Sequence, residues 1–120
     1  MDLASAKENV HRYYRLVDEG NHSGLLGLFA EDAVYERPGY QPLVGRAALR
    51  DFYSGERVIA DGRHTVRTLV AEGDRIAVHG DFVGVLKDGT DVSLRFADFF
   101  VLGADGRFVR RDTFFFSPLV

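Results

Sequence analysis

The chain contains no cysteine, which excludes disulfides, thiolate zinc sites, iron–sulfur clusters and cysteine nucleophiles. Long apolar runs are missing too. The longest uninterrupted stretch of apolar residues and glycine is Gly24 to Ala30, far short of the roughly 20 residues that cross a bilayer, so no membrane partner is expected. The opening Met1-Asp2-Leu3-Ala4 lacks the basic segment that begins an export signal, and the expectation is a soluble, cytoplasmic protein. Lysine is scarce. Lys7 and Lys87 are the only two, and the 13 arginines lie scattered without a basic block. With Lys+Arg 15 against Asp+Glu 18 the formal net charge is −3, which argues against nucleic acid as a partner. There is no HExxH string and no pair of histidines at ligand spacing on one element, so no metal site is expected. A glycine-rich phosphate loop, a nucleophile elbow and a dinucleotide fingerprint are also missing, and no cofactor is implied.

What is present suits one core. At 120 residues, 46% hydrophobic and 28% charged, the chain reads as a single domain spanning 1–120. From Leu3 to Glu19 the residues Leu3, Ala6, Val10, Tyr13 and Val17 recur at spacings of three and four, which predicts a first helix closed by Gly20. A shorter helix is expected over Ser23–Ala30 and a strand over Ala33–Arg37, stopped by Pro38-Gly39. A loop runs on to Gly45, and a third helix is expected over Arg46–Ala60, ended by Asp61-Gly62.

Beyond Gly62 the apolar period changes from about 3.6 to 2. The turn signals Glu72-Gly73-Asp74, Lys87-Asp88-Gly89 and Ala104-Asp105-Gly106 divide the remainder into four antiparallel strands, near His64–Ala71, Arg75–Leu86, Asp91–Leu102 and Arg107–Phe116. The middle two are about twice the usual 5–6 residues, so they must twist and curl. Helices first and a meander afterwards predict an α+β domain with a curved sheet wrapped around helices.

One residue breaks the alternation. Val92, Leu94, Phe96, Asp98, Phe100 and Leu102 share one face of one strand, and only Asp98 is polar. A carboxyl in apolar surroundings ionises only at high free-energy cost, so Asp98 reads as a proton donor unless an arginine pairs with it or the apolar face bends open to solvent there. On the preceding strand His79 and Asp81 point the same way, as a base and its orienter would, or as polar residues of a solvent face do. His64 opens a strand next to Arg63, at a strand end or facing a ligand. Tyr13, Tyr35 and Tyr53 sit where each can point a hydroxyl into a shared cavity.

The order of elements and several strings resemble the nuclear transport factor 2-like superfamily, in particular its SnoaL-like and ketosteroid isomerase-like branch. The strings are Arg12-Tyr13-Tyr14, the stretch from Gly24 to Val34, the stretch from Gly45 to Tyr53, Phe96-Ala97-Asp98-Phe99-Phe100 and Asp105-Gly106-Arg107. The resemblance implies a cone-shaped, strongly curved, mostly antiparallel sheet packed on three N-terminal helices around an apolar cavity, a cystatin-like α+β roll that often dimerises through the outer sheet face. It places an oxyanion tyrosine at Tyr13, a protonated oxyanion aspartate at Asp98 and a supporting tyrosine at Tyr53. The proton-shuttling carboxylate of the isomerase falls on Arg37, which cannot accept a proton. Phe96, Phe100, Thr113, Phe115 and Arg111 face inward by the same resemblance, joined by His79 and Asp81.

Together these features predict a small-molecule enzyme for proton-transfer chemistry, isomerisation, aldol-type cyclisation or dehydration, on an apolar carbonyl metabolite such as a polyketide. Its catalytic residues would be Asp98, Tyr13, Arg37 and His79. Two alternatives stand beside this reading: a noncatalytic ligand-binding or dimerisation module on the same fold, and epoxide opening of the limonene-epoxide hydrolase-like kind. The second rests on Arg111-Asp112-Thr113-Phe114, yet strand parity sends Asp112 to the face opposite Thr113. A homodimer is expected, because Phe99, Val101, Phe114 and Phe116 lie on the face away from the cavity.

Overall fold

The computed structural model describes residues 2–116. Helix α1 runs Leu3–Glu19, as its period predicts, with the Asp2 carboxylate accepting from Ser5 N–H at its start. Gly20 ends it in the left-handed conformation (φ 72°), which lets the N–H groups of Gly20 and Asn21 satisfy the carbonyls of Val17 and Leu16. Helix α2 is shorter than expected, His22–Leu26. Gly24 and Gly27 weaken it, and Phe29 instead starts strand β1, Phe29–Glu36, opposite Phe108. Leu43–Val44, read from sequence as loop, forms a two-residue strand β2 beside β1.

The third helix also departs from expectation. Helix α3 covers Arg46–Asp51 and continues as a single π turn, Phe52–Glu56, marked by Arg57 N–H reaching back to the Phe52 carbonyl at 2.9 Å. The widened turn buries two consecutive rings, Phe52 and Tyr53, each contributing roughly 1.5–3 kcal/mol by area. The chain then becomes extended earlier than predicted. Strand β3 runs Ile59–Glu72, β4 Arg75–Leu86, β5 Asp91–Leu102 and β6 Phe108–Phe115.

The six strands form one sheet in the order β2-β1-β6-β5-β4-β3, antiparallel except where β1 runs parallel to β6. The helices fill its concave side, with Val10, Tyr13, Tyr14 and Val17 of α1 buried against it. A register shift in β3 between Val66 and Thr68 reverses the alternation, so that Gly62, His64 and Val66 face inward before it and Leu69 and Ala71 after it. On β4 the inward set is Ile76, Val78, Gly80 and Phe82.

Curvature requires missing side chains on the inner face. Gly62 and Gly84 are paired across β3 and β4, and a Cβ on either would run into the Phe82 ring, which lies against both. At Gly80 a Cβ would meet the Thr65 carbonyl and, at 2.9 Å, the Phe96 ring. The outer face of the sheet carries Val83, Phe99 and Phe114 in the open, with the rings of Phe99 and Phe114 edge to face at 5.8 Å. Among the described residues no helix is long and apolar enough to cross a membrane.

Gly80→Ala is expected to lower unfolding free energy by about 1–3 kcal/mol, the usual range for overpacking. Urea denaturation followed by circular dichroism measures it, and an unchanged midpoint would refute the close approach.

Candidate functional site

A cavity of about 520 Å³ opens between the helices and the concave sheet, a size that suits a small organic ligand. Its deep end is polar. Tyr13 from α1, Tyr53 from the π turn, Tyr35 from β1 and Arg111 and Thr113 from β6 line it there, all buried. Its walls are apolar, with Phe82 from β4, Leu94 and Phe96 from β5 and Phe115 from β6.

The expectation of a protonated Asp98 that joins Tyr13 in the cavity is not met. Asp98 is fully buried (0% exposed), but it lies behind the cavity wall rather than in it. Its Oδ2 accepts from Arg111 at 2.8 Å and from the Tyr14 hydroxyl, and its Oδ1 accepts from Thr113. Three donors and no acceptor make this the geometry of a carboxylate, not of a protonated acid. The arginine alternative therefore holds, and the arginine is Arg111, not Arg37. Burial disfavours charge on Arg111, yet the adjoining Asp98 carboxylate together with the hydroxyls of Tyr13, Tyr35 and Tyr53 outweighs it and holds the guanidinium pKa well above its ordinary value. The Tyr13 and Tyr35 rings flank the guanidinium, each centroid 4.5 Å away.

Counting hydrogens gives the deep end its polarity. Thr113 spends its hydrogen on Asp98, so Tyr35, 3.1 Å away, must donate to Thr113. Arg111 donates to Tyr13 at 2.6 Å and to Tyr53 at 3.3 Å, and the two phenols share one hydrogen between them. Burial raises the pKa of both, Tyr53 to about 12, so both remain phenols at neutral pH. Two O–H groups with one hydrogen shared leave one O–H unspent, facing the cavity.

The base expected at His79 is not there. His79 and Asp81 occupy the outer face of β4, where Arg95 lies 3.5 Å from His79 and Arg67 pairs with Asp81. The inward positions of β4 are the even-numbered ones, and both residues are odd. His64 lines the cavity instead, in mid-strand rather than at a strand end. Its Nδ1 lies 2.6 Å from Asp18 Oδ1, while its backbone N–H donates to Asp18 Oδ2 at 2.8 Å. Nδ1 carries the proton because only then can it donate to a carboxylate, and Nε2 is left as an acceptor without a partner among the described residues. Burial lowers the His64 pKa, with Asp18 opposing, so the imidazole is neutral at pH 7.

Of the other expected residues, Arg37, Tyr35, Tyr53, Phe96, Arg111 and Phe115 line the cavity. Phe100 faces inward but belongs to the core, against Tyr13 and Phe108, and not to the cavity wall. Arg37 stacks on Tyr40, Phe52 and Phe115. Tyr14, Asp18 and Arg57 went unnoticed in the sequence. Tyr14 and Asp18 are four apart on α1, one turn of helix, a spacing that puts a hydroxyl and a carboxylate on one side of the helix, toward β3. Asp112 sits on the outer face paired with Arg110, as strand parity requires.

The family model of the SnoaL-like domain matches residues 10–111. Among solved structures the chain is similar to the epoxide hydrolase/cyclase-like enzyme SalBIII, which has a role in pyran ring formation in the polyether salinomycin. The identity is 26% over 96% of this chain and 93% of that one, with a TM-score of 0.85. An NTF2-like protein of unknown function from Burkholderia pseudomallei shares the fold at 20% identity, covering 92% and 90% of the two chains, with a TM-score of 0.84. TerC, co-crystallised with polyporic acid, does so at 22% identity, 92% and 91% coverage and a TM-score of 0.81.

Asp98→Leu should be destabilising by about 3–5 kcal/mol, because it strands the Arg111 charge in a buried site, whereas Asp98→Leu combined with Arg111→Met should recover much of the loss. Chemical denaturation of the two variants checks this. A single variant as stable as the parent would mean that the pair does not form.

Proposed function

Because this chain belongs to the SnoaL-like family of the NTF2-like superfamily, we propose that it is a small-molecule enzyme doing proton-transfer chemistry on an apolar carbonyl compound of polyketide type. The observation that carries this reading is His64, a neutral imidazole oriented by Asp18 on the wall of a cavity whose deep end offers a phenol hydrogen. A cavity for binding alone needs no proton acceptor opposite its donor, and this favours the enzyme over the noncatalytic module.

Proton transfer follows from the geometry. A ligand carbonyl accepts the unspent O–H of the Tyr13–Tyr53 pair, and His64 Nε2 removes a proton from the carbon beside that carbonyl. The C–H electron pair moves into the new C=C bond as the carbonyl electrons move to oxygen, where the phenol and the fixed charge of Arg111 behind it stabilise the enolate. The imidazolium then returns the proton. Delivered to a different carbon it completes an isomerisation, to a departing hydroxyl a dehydration, and to the alkoxide formed when the enolate carbon attacks a second carbonyl an aldol-type cyclisation. Asp98 does not touch the ligand in this scheme. It holds Arg111 and Tyr14 in place.

Epoxide opening is a second reading, supported by the similarity to SalBIII. The same donor would protonate the epoxide oxygen while His64 deprotonates the attacking hydroxyl. Asp112 has no part in it, being on the outer face.

The partner we propose for the outer face is a second copy of the chain. Phe99 is 49% and Phe114 56% exposed there, beside the opposite-sign pairs Arg67–Asp81 and Arg110–Asp112 that a two-fold contact could match with themselves. Sedimentation at micromolar concentration is expected to show a dimer, and a single 13.4 kDa species would count against it.

The enzyme reading is tested with 2-tetralone, an apolar ketone, by following deuterium exchange at its α-carbon in heavy water by NMR. His64→Ala should slow catalysed exchange by about 10²–10⁴-fold, and Tyr13→Phe combined with Tyr53→Phe by about 10²–10³-fold. Since the base must be neutral and burial lowers its pKa from 6.5, the rate should be level near pH 7 and fall with acid at a midpoint below 6.5. Exchange that ignores both His64 and pH would defeat the proposal.

A further inference from the structure

The cavity is lined by cations without acids. Arg37, Arg57, Arg111 and neutral His64 are among its lining residues, and no carboxylate is, among the described residues. In a chain of net charge −3 this is a segregation of charge, not an average. Arg111 is neutralised by Asp98. Arg37 and Arg57 are not. Neither makes an ion pair among the described residues, and the Nε of each is buried without a hydrogen-bond partner. A buried N–H left unpaired is costly, and a guanidinium has five such donors to satisfy.

The two arginines come from different elements but are brought to one rim. Arg37 follows the last residue of β1 and Arg57 closes the π turn. The Val58 N–H donates to the Tyr40 hydroxyl at 3.1 Å, which ties the segment after Arg37 to the segment after Arg57. The guanidinium of Arg37 lies 5.3 Å from the Phe52 ring centroid and that of Arg57 6.0 Å from the ring of Tyr53, so neighbouring residues of one turn carry both cations. Pro38, Gly39 and Val58, which share this end of the cavity, are exposed to solvent, so the arginines stand at the mouth while the phenols and Arg111 lie at the deep end.

We propose that the ligand is an anionic amphiphile: an apolar body that fills the cavity, with a carboxylate at one end held between Arg37 and Arg57. This deepens the proton-transfer reading and rests on the same cavity, adding a charged handle remote from the reacting carbon. Guanidinium suits a planar carboxylate because its N–H groups match both oxygens. Binding energy from such a handle positions the rest of the ligand, with its carbonyl against the Tyr13–Tyr53 pair and its α-carbon beside His64.

The test uses two probes that differ in one group, 9-anthracenecarboxylate and 9-anthracenemethanol, titrated against the protein by fluorescence. The parent should bind the carboxylate at least tenfold more tightly than the alcohol. Arg37→Gln and Arg57→Gln should each weaken the carboxylate by about 10- to 100-fold, the scale of a charged hydrogen bond, and leave the alcohol within about twofold. Arg75→Gln, which removes a cation from an exposed site 75% accessible to solvent, should change neither. Independently of any variant, the preference should vanish as acid protonates the probe carboxylate while the arginines stay charged. Equal affinity of the parent for both probes, or equal weakening of both in the two rim variants, would overturn the proposal. Preference for the carboxylate without exchange of 2-tetralone would leave this proposal standing and defeat the catalytic one, and exchange without preference would do the reverse.

Discussion

The buried pair Arg111–Asp98 organises the site. Two opposite charges at 4% and 0% exposure persist in an interior only when nearly every donor and acceptor is matched. Here the matching groups come from four elements: Tyr14 and Tyr13 from α1, Tyr53 from the π turn, Tyr35 from β1 through Thr113 of β6. The ion pair therefore fixes how the first helix, the turn after the third and the strands at the parallel junction sit against one another. It also makes the tyrosines donors, since each phenol oxygen accepts from a permanent cation and the contact between the two phenols uses only one of their two hydrogens.

That constraint explains the division of the cavity. Groups committed to the pair crowd the deep end, where the sheet closes on α1, and the wall that lacks such commitments is apolar. His64 stands outside the network because the β3 register shift and the glycines opposite it let the strand curl toward α1, bringing the imidazole to Asp18. The mouth is built from the pieces that connect elements, the turn after β1 and the π turn. The phenols, His64 and the two rim arginines thus occupy three separate places.

Much of this was legible in the sequence where the signal is local. Period 3.6 marks α1 to the residue, and period 2 between glycine turns marks β4 and β5 to the residue, because helix and strand expose one face by simple repetition. Asp98 was visible as the one polar residue on an apolar face, and it is buried as that pattern requires. Its partner was not visible. Asp98 and Arg111 are joined only by the β5–β6 pairing, which sets Asp98 opposite Thr113 and Phe100 opposite Arg111.

The sequence by itself determined the fold class and the order of elements apart from β2, since these rest on periodicity and turn chemistry that neighbouring residues carry, and the family through the strings it shares with relatives. Tertiary structure alone decided that the carboxyl of Asp98 meets Arg111, that His64 and not His79 faces the cavity, and that Arg37 and Arg57 share a rim. The physical reason is the same in each case. A strand presents two faces of equal local quality, and which one turns inward is set by bulges, pairing register and the side chains of distant segments, none of which leaves a mark on the residues next to it.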